Sequence, residues 1–351
     1  MKQKIIILLL LLTNFLFAQD QLEIPFDYKN NLINIKVEVG GKKENFIFDT
    51  GAMNVLTREF AESQNLTLKK SKARGYIGKT EAFETTLSQF SPFGKDLQNV
   101  KFRVIDWDFV NKLNVKGLIG PEIVRMLGYN ILTIDYQNQK LIFGNQKLEK
   151  YDFAFDMYKM GNPRIWLGKT NFKIDTGNPL FGESNSKKFS TNQECDNFSS
   201  YSLSFSNQNM QLCKNSIKDL NGKTFVFKQF LFERAPKNII GNLALQNYLV
   251  QIDFENRKLF FTKNEFYPMP NDIYFIEDEK GYFVSLINEK SDIYKKGVQV
   301  GEYLEKIDGF DLGKKKSVAE LHRFILNNEK VNLIIKKNYN SLLKLNDLKI
   351  N

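Results

Sequence analysis

Two stretches decide the reading of this chain: Phe46-Ile47-Phe48-Asp49-Thr50-Gly51-Ala52 and Phe172-Lys173-Ile174-Asp175-Thr176-Gly177-Asn178. In each, a strand-like run delivers an Asp-Thr-Gly. A single tripeptide of this kind is weak, since it also ends ordinary strands and arises by chance at roughly several per cent in a chain this long. What surrounds the pair carries more. Before the first copy, Leu32 to Val39 alternates in the manner of a half-buried strand and Gly40-Gly41 turns it back. After it come a helix-like stretch from Arg58 to Gln64, a strand from Val100 to Asp106, then Gly117-Leu118-Ile119-Gly120, a helix through Met126 and a hairpin from Leu132 to Phe143. After the second come Asn238-Ile239-Ile240-Gly241, a helix-like Leu243 to Tyr248 and a hairpin from Val250 to Phe261. The two hairpins, LTIDYQNQKLIF and VQIDFENRKLFF, are identical at six of twelve positions. The interval from motif Asp to the Gly of the Ile-Gly element is 120 − 49 = 71 in one copy and 241 − 175 = 66 in the other. Order, spacing and sequence together indicate a duplicated β-rich unit.

The motif suits acid–base chemistry on two carboxyls. Like charges held close cannot both ionise, so one carboxyl keeps a proton and the other acts as base. Asp49 and Asp175 are the candidate pair. Thr50 and Thr176 are positioned to hydrogen-bond across it. Gly51 and Gly177 allow a sharp turn that brings backbone N–H groups to the carboxylates.

Composition narrows the alternatives. The chain has 351 residues, two Cys and one His. That argues against a Cys/His zinc site and leaves any Ser-His or Cys-His mechanism to His322 alone. No metal or cofactor is expected. His322 reads as a surface or groove-wall residue. Cys195 and Cys213 are either a disulfide or two thiols. Met1 to Ala18, with Lys2, Lys4, an apolar run from Ile5 to Leu12 and a small residue at its end, reads as a secretory signal peptide rather than a membrane anchor. Its loss takes the net charge from +10 to +8 by removing two lysines. The remaining charge is scattered and no nucleic-acid motif accompanies it. An exported protein, periplasmic or extracellular, is the expectation, with no stable membrane insertion.

From Leu32 to Lys263 the chain resembles the retropepsin-like and pepsin-like aspartic peptidases with two lobes in one chain. The apolar-Asp-Thr-Gly signature matches Phe48 to Gly51 and Ile174 to Gly177, and the later apolar-apolar-Gly element matches Leu118-Ile119-Gly120 and Ile239-Ile240-Gly241. The resemblance implies that Ile119, Gly120, Ile240 and Gly241 support the catalytic loops. It makes the hairpin from Gly75 to Thr80 a flap over the cleft, with Tyr76 a substrate contact. Ala52 follows the retroviral style, whereas Asn178 stands where the family carries Ser, Thr or Ala, and the second copy lacks an obvious flap. The tail, from about Tyr267, resembles a PDZ domain, with Gly281-Tyr282-Phe283-Val284 as its peptide-binding segment.

The expected architecture is therefore mainly β: a signal peptide (1–18), two β-barrel lobes (19–150 and 151–266) and a small α/β PDZ-like domain (267–351). The expected activity is that of a monomeric aspartic endopeptidase acting on peptides or proteins. The alternatives are a peptide-binding envelope protein with weak or lost catalysis, a homodimer built on Asp49, and a purely structural envelope protein.

Overall fold

The computed structural model describes residues 21–75, 78–106, 114–158, 161–167, 170–185, 195–200, 208–232, 238–264, 270–278, 280–313, 316–337 and 341–350. The expected signal peptide and Tyr76 lie outside the described residues. The chain is mainly β, as its alternating apolar pattern requires. No helix among the described residues is long and apolar enough to cross a membrane.

Two sheets repeat one strand order. In the first, Leu32–Val39 pairs antiparallel with Lys42–Phe48, which pairs parallel with Gly117–Ile119; that strand pairs with Val55–Thr57, and the sheet continues through Leu97–Ile105, Gly78–Phe90 and Lys69–Gly75. In the second, Arg164–Leu167 pairs antiparallel with Thr170–Ile174, which pairs parallel with Ile239–Ile240; Gly182–Asn185, Thr224–Phe232, Gln208–Lys218 and Cys195–Ser200 follow. Each Asp thus leaves a strand whose parallel neighbour is its own Ile-Gly element. Between the sheets lies a third of six strands, where the two similar hairpins meet. Ile131–Asp135 pairs antiparallel with Tyr248–Asp253, in the register Leu132 to Ile252, Thr133 to Gln251 and Ile134 to Val250. Thr133 and Gln251, equivalent positions of the two hairpins, face each other. A local twofold axis accounts for this, and Gln251 Nε2 donates to Thr133 Oγ1 at 3.0 Å. One continuous apolar core runs through both units and this sheet, with Phe48, Leu132, Phe143, Phe172, Ile252 and Phe261 all buried.

The second copy has the hairpin that its sequence did not announce. Cys195–Ser200 and Gln208–Lys218 occupy the sheet positions that Lys69–Gly75 and Gly78–Phe90 hold in the first copy. Cys195 and Cys213 are directly paired in this hairpin and form a disulfide, which resolves the choice left open above. Its outer strand is not free. Phe198 to Ser200 pair with Leu286 to Asn288 of the tail, so the tail continues the second sheet. The tail nevertheless has its own apolar cluster, centred on Val284, Leu304, Leu321, Ile325 and Ile335. Its helix Val318–Asn327 opens with a capping box in which Ser317 and Glu320 satisfy each other's backbone N–H.

Candidate active site

Asp49 and Asp175 come together at the junction of the two units. Each is fixed first by its own unit: Asp49 N–H donates to Ile119 O at 2.9 Å, and Asp175 N–H to Ile240 O at 3.0 Å. Ile119-Gly120 and Ile240-Gly241 therefore stand directly beside the motif loops. A Cβ on Gly120 would lie 2.6 Å from Ala52 O, and one on Gly241 would lie 2.3 Å from Leu180 O, so both positions need a glycine.

The two loops then grip each other. Thr50 N–H donates to Thr176 Oγ1 at 2.9 Å and Thr176 N–H to Thr50 Oγ1 at 3.1 Å. Each hydroxyl in turn donates across the junction, Thr50 to Ile174 O and Thr176 to Phe48 O, both at 2.8 Å. Both threonines are fully buried, so four backbone groups with no access to water are satisfied by two hydroxyls. The glycines serve close approach. A Cβ on Gly51 would sit 2.2 Å from Asp175 Cγ, and one on Gly177 2.2 Å from Asp49 Oδ2. With hydrogen there, Gly51 N–H (2.7 Å) and Gly177 N–H (3.1 Å) both donate to Asp49 Oδ1, and Gly177 N–H also reaches Asp175 Oδ1 at 3.2 Å.

The surroundings perturb Asp49 strongly. Burial pushes Asp49 up to about 8; the negative charge of Asp175 and a hydrogen bond between the two side chains act in the same direction, opposed by the Lys173 ammonium and the Gly51 N–H. Asp49 thus keeps its proton at neutral pH. Lys173 is itself buried, ion-paired to Asp175 Oδ2 and donating to Gly51 O at 2.9 Å.

Residues 35–130 match the family model for aspartyl proteases. The matched segment holds Asp49-Thr50-Gly51, the long hairpin and Ile119-Gly120, and it ends before Asp175. Searching the curated proteins finds no match. The aspartyl protease match supports a peptide-bond hydrolase.

Two expectations need correction, and Asn178 has a role of its own. Asn178 does not bond the carboxylates: its Oδ1 accepts from Leu180 N–H at 2.9 Å and its Nδ2 donates to Glu183 Oε1 at 3.1 Å, bracing the turn instead. In the tail, Phe283 and Val284 carry backbone partners on both edges of their strand, Ile276 and Phe275 on one side, Tyr303 and Glu302 on the other. They cannot pair with an added peptide strand. The outer edge of that sheet belongs to Ile273–Asp278, and Gly281 and Tyr282 lie on the strand behind it. His322 is no surface residue. It is buried, and its Nε2 accepts from Phe275 N–H at 3.0 Å; burial lowers it to about 3, so it stays neutral.

Sequence reasoning assigned no role to three buried residues around the site. Asn242 donates to Thr176 O (2.5 Å) and Asn31 O (2.7 Å) and accepts from Tyr136 OH (2.6 Å), tying the second loop to the first unit. Glu183 has an Oε2 without a partner among the described residues, and burial pushes its carboxyl up to about 8. The third is Lys173. The usable signal was a position-by-position comparison of the two copies, where Lys173 stands in the place of Ile47; that Glu183 stands in the place of Val55 emerges only from the strand pairing.

Proposed function

We propose that the protein is an aspartic endopeptidase in which Asp49 and Asp175 form one intramolecular dyad. Asp175, as carboxylate, takes a proton from the attacking water. Asp49, protonated, donates to the scissile carbonyl oxygen as the tetrahedral centre forms. Collapse returns a proton to the leaving nitrogen and restores the dyad. The observation that carries this reading is that two buried carboxyls share one donor, Gly177 N–H, at 3.1 Å from Asp49 Oδ1 and 3.2 Å from Asp175 Oδ1, held by the reciprocal Thr50–Thr176 grip. A fold that only bound peptides would gain nothing from two acids so close, because their mutual repulsion costs stability.

The hairpin carrying Tyr76 is the element proposed to cover bound peptide. The tail is proposed as a PDZ-like module that presents or recruits peptide ends. Export to an oxidising compartment agrees with the Cys195–Cys213 disulfide. The mature chain acts as a monomer in this reading, since both acids come from one polypeptide.

The test is cleavage of a diverse peptide library between pH 4 and 9 by the mature chain and by Asp49→Asn. Wild type should cleave at neutral pH, with activity falling above about 8 as Asp49 loses its proton. Absence of cleavage at every pH, or cleavage that survives Asp49→Asn, would sink the proposal.

A further inference from the structure

The duplication gives each residue near the dyad a counterpart, and one row departs from it. In the first copy Ile47, Leu118 and Val55 are paired side by side on adjacent strands and so share one face of the sheet. They form a small apolar cluster with Leu32 and Val115. The same row in the second copy is Lys173, Ile239 and Glu183. An ammonium and a carboxyl replace Ile and Val, and both are buried. Burying charge in place of aliphatic surface does not favour folding unless the charge is paired. Lys173 is paired, and its partner is the catalytic carboxyl itself: Nζ meets Asp175 Oδ2 and donates to Gly51 O at 2.9 Å. Gly51 belongs to the opposite loop, and its N–H holds Asp49. One ammonium therefore touches both motif loops, but of the two carboxyls it meets only Asp175.

We propose that Lys173 is a positioning residue that assigns the two carboxyls their roles, holding Asp175 as the water-activating base and leaving the shared proton on Asp49. The inference rests on the peptidase reading above. It follows from the asymmetry of the site: the first copy has Ile47 where the second has Lys173, so the cation stands on one side only. The charged groups facing Lys173 are Asp175, in contact, and Asp49 across the junction. Glu183 lies on the same face beyond Ile239, where desolvation favours its neutral form. With the ammonium present, a dyad carrying one negative charge is electrically balanced. Without it, that charge is less well supported, and both proton losses of the dyad move to higher pH.

The experiment is the pH profile of kcat/KM for wild type, Lys173→Met and Lys173→Arg on one peptide substrate. Lys173→Met should displace both limbs upward, by about 1–3 pH units for loss of a contacting cation, with activity lost first at acid pH. Lys173→Arg should return both limbs toward wild type. Unmoved limbs with uniformly reduced activity would reduce Lys173 to a packing role. Higher activity at all pH would mean that the ammonium obstructs the dyad. Either result overturns the proposal. A second measurement needs neither activity nor a folded Lys173→Met. Carboxyl carbon NMR of aspartate-labelled wild type, assigned with Asp49→Asn and Asp175→Asn, should find Asp49 protonated and Asp175 ionised at pH 6. The reverse order refutes the role assignment, even if no peptide is ever cleaved. Cleavage by wild type with the expected NMR order but unmoved limbs leaves the peptidase reading standing and removes Lys173 from it.

Discussion

Replacing Thr176 by Val keeps the shape of the side chain and deletes one hydroxyl. That hydroxyl accepts from Thr50 N–H and donates to Phe48 O, at 2.9 and 2.8 Å. Both partners belong to the other unit, and Phe48, Thr50 and Thr176 are fully buried. Water therefore cannot replace the lost oxygen without opening the junction. Each orphaned buried group costs about 1–3 kcal/mol, so the pair costs about 2–6 kcal/mol, a large share of the roughly 5–15 kcal/mol that holds a typical domain folded. Urea unfolding of Thr176→Val should show this loss with an unchanged slope, and amide exchange at Thr50 should accelerate. Thr176→Ser, which keeps the oxygen, should recover most of it. A Thr176→Val midpoint within about 0.5 kcal/mol of wild type, the range of neutral surface changes, with Thr50 exchange unaltered, would refute the reasoning.

Three further outcomes follow. Gly177→Ala should abolish activity, because the new Cβ would lie 2.2 Å from Asp49 Oδ2 and drive the carboxyls apart; full activity in steady-state assays would show that the close approach is not needed. Asp49 holds its proton up to about 8 when folded but releases it near 3.8 when unfolded, so its stabilising contribution is complete below about pH 3.8 and is lost as pH rises to about 8. Melting of Asp49→Asn should lack that slope and exceed wild type at pH 8 by an amount on the order of a few kcal/mol; parallel melting curves for the two proteins across that range contradict it. His322 is held neutral down to about 3, so the stability it confers is present above about pH 6.5 and is lost as pH falls toward 3. His322→Gln, which keeps an acceptor for Phe275 N–H without titrating, should be less acid-sensitive by about 2 kcal/mol at pH 5, and equal acid sensitivity would count against a neutral buried imidazole.

The catalytic framework was legible because its residues carry sequence-local reasons. Asp-Thr-Gly and Ile-Gly are set by close approach, and the hairpins at Leu132 and Val250 betray their common origin through shared apolar and turn positions. Leu32–Val39 was read to the residue because apolar alternation marks one buried face. The hairpin of Cys195–Ser200 and Gln208–Lys218 was not legible. It is rich in Asn, Ser, Gln and Lys, and it is held by a disulfide between its own strands and by the tail strand, which is distant in sequence. The outermost strand of the tail was misread for a related reason. Gly281 to Val284 looks like a strand and is one, but only the tertiary pairing reveals that Ile273–Asp278 lies outside it. His322 shows the same limit: nothing local in the helix indicates that its ring caps Phe275.

The central claim is that one chain supplies both acids. It is tested most directly by kcat/KM of purified Asp175→Asn, alone and mixed with Asp49→Asn. The intramolecular dyad predicts a loss of about 10²–10⁴-fold or more for Asp175→Asn, and no recovery on mixing. Full activity in Asp175→Asn would contradict the account and transfer the chemistry to a pair of Asp49 residues from two chains.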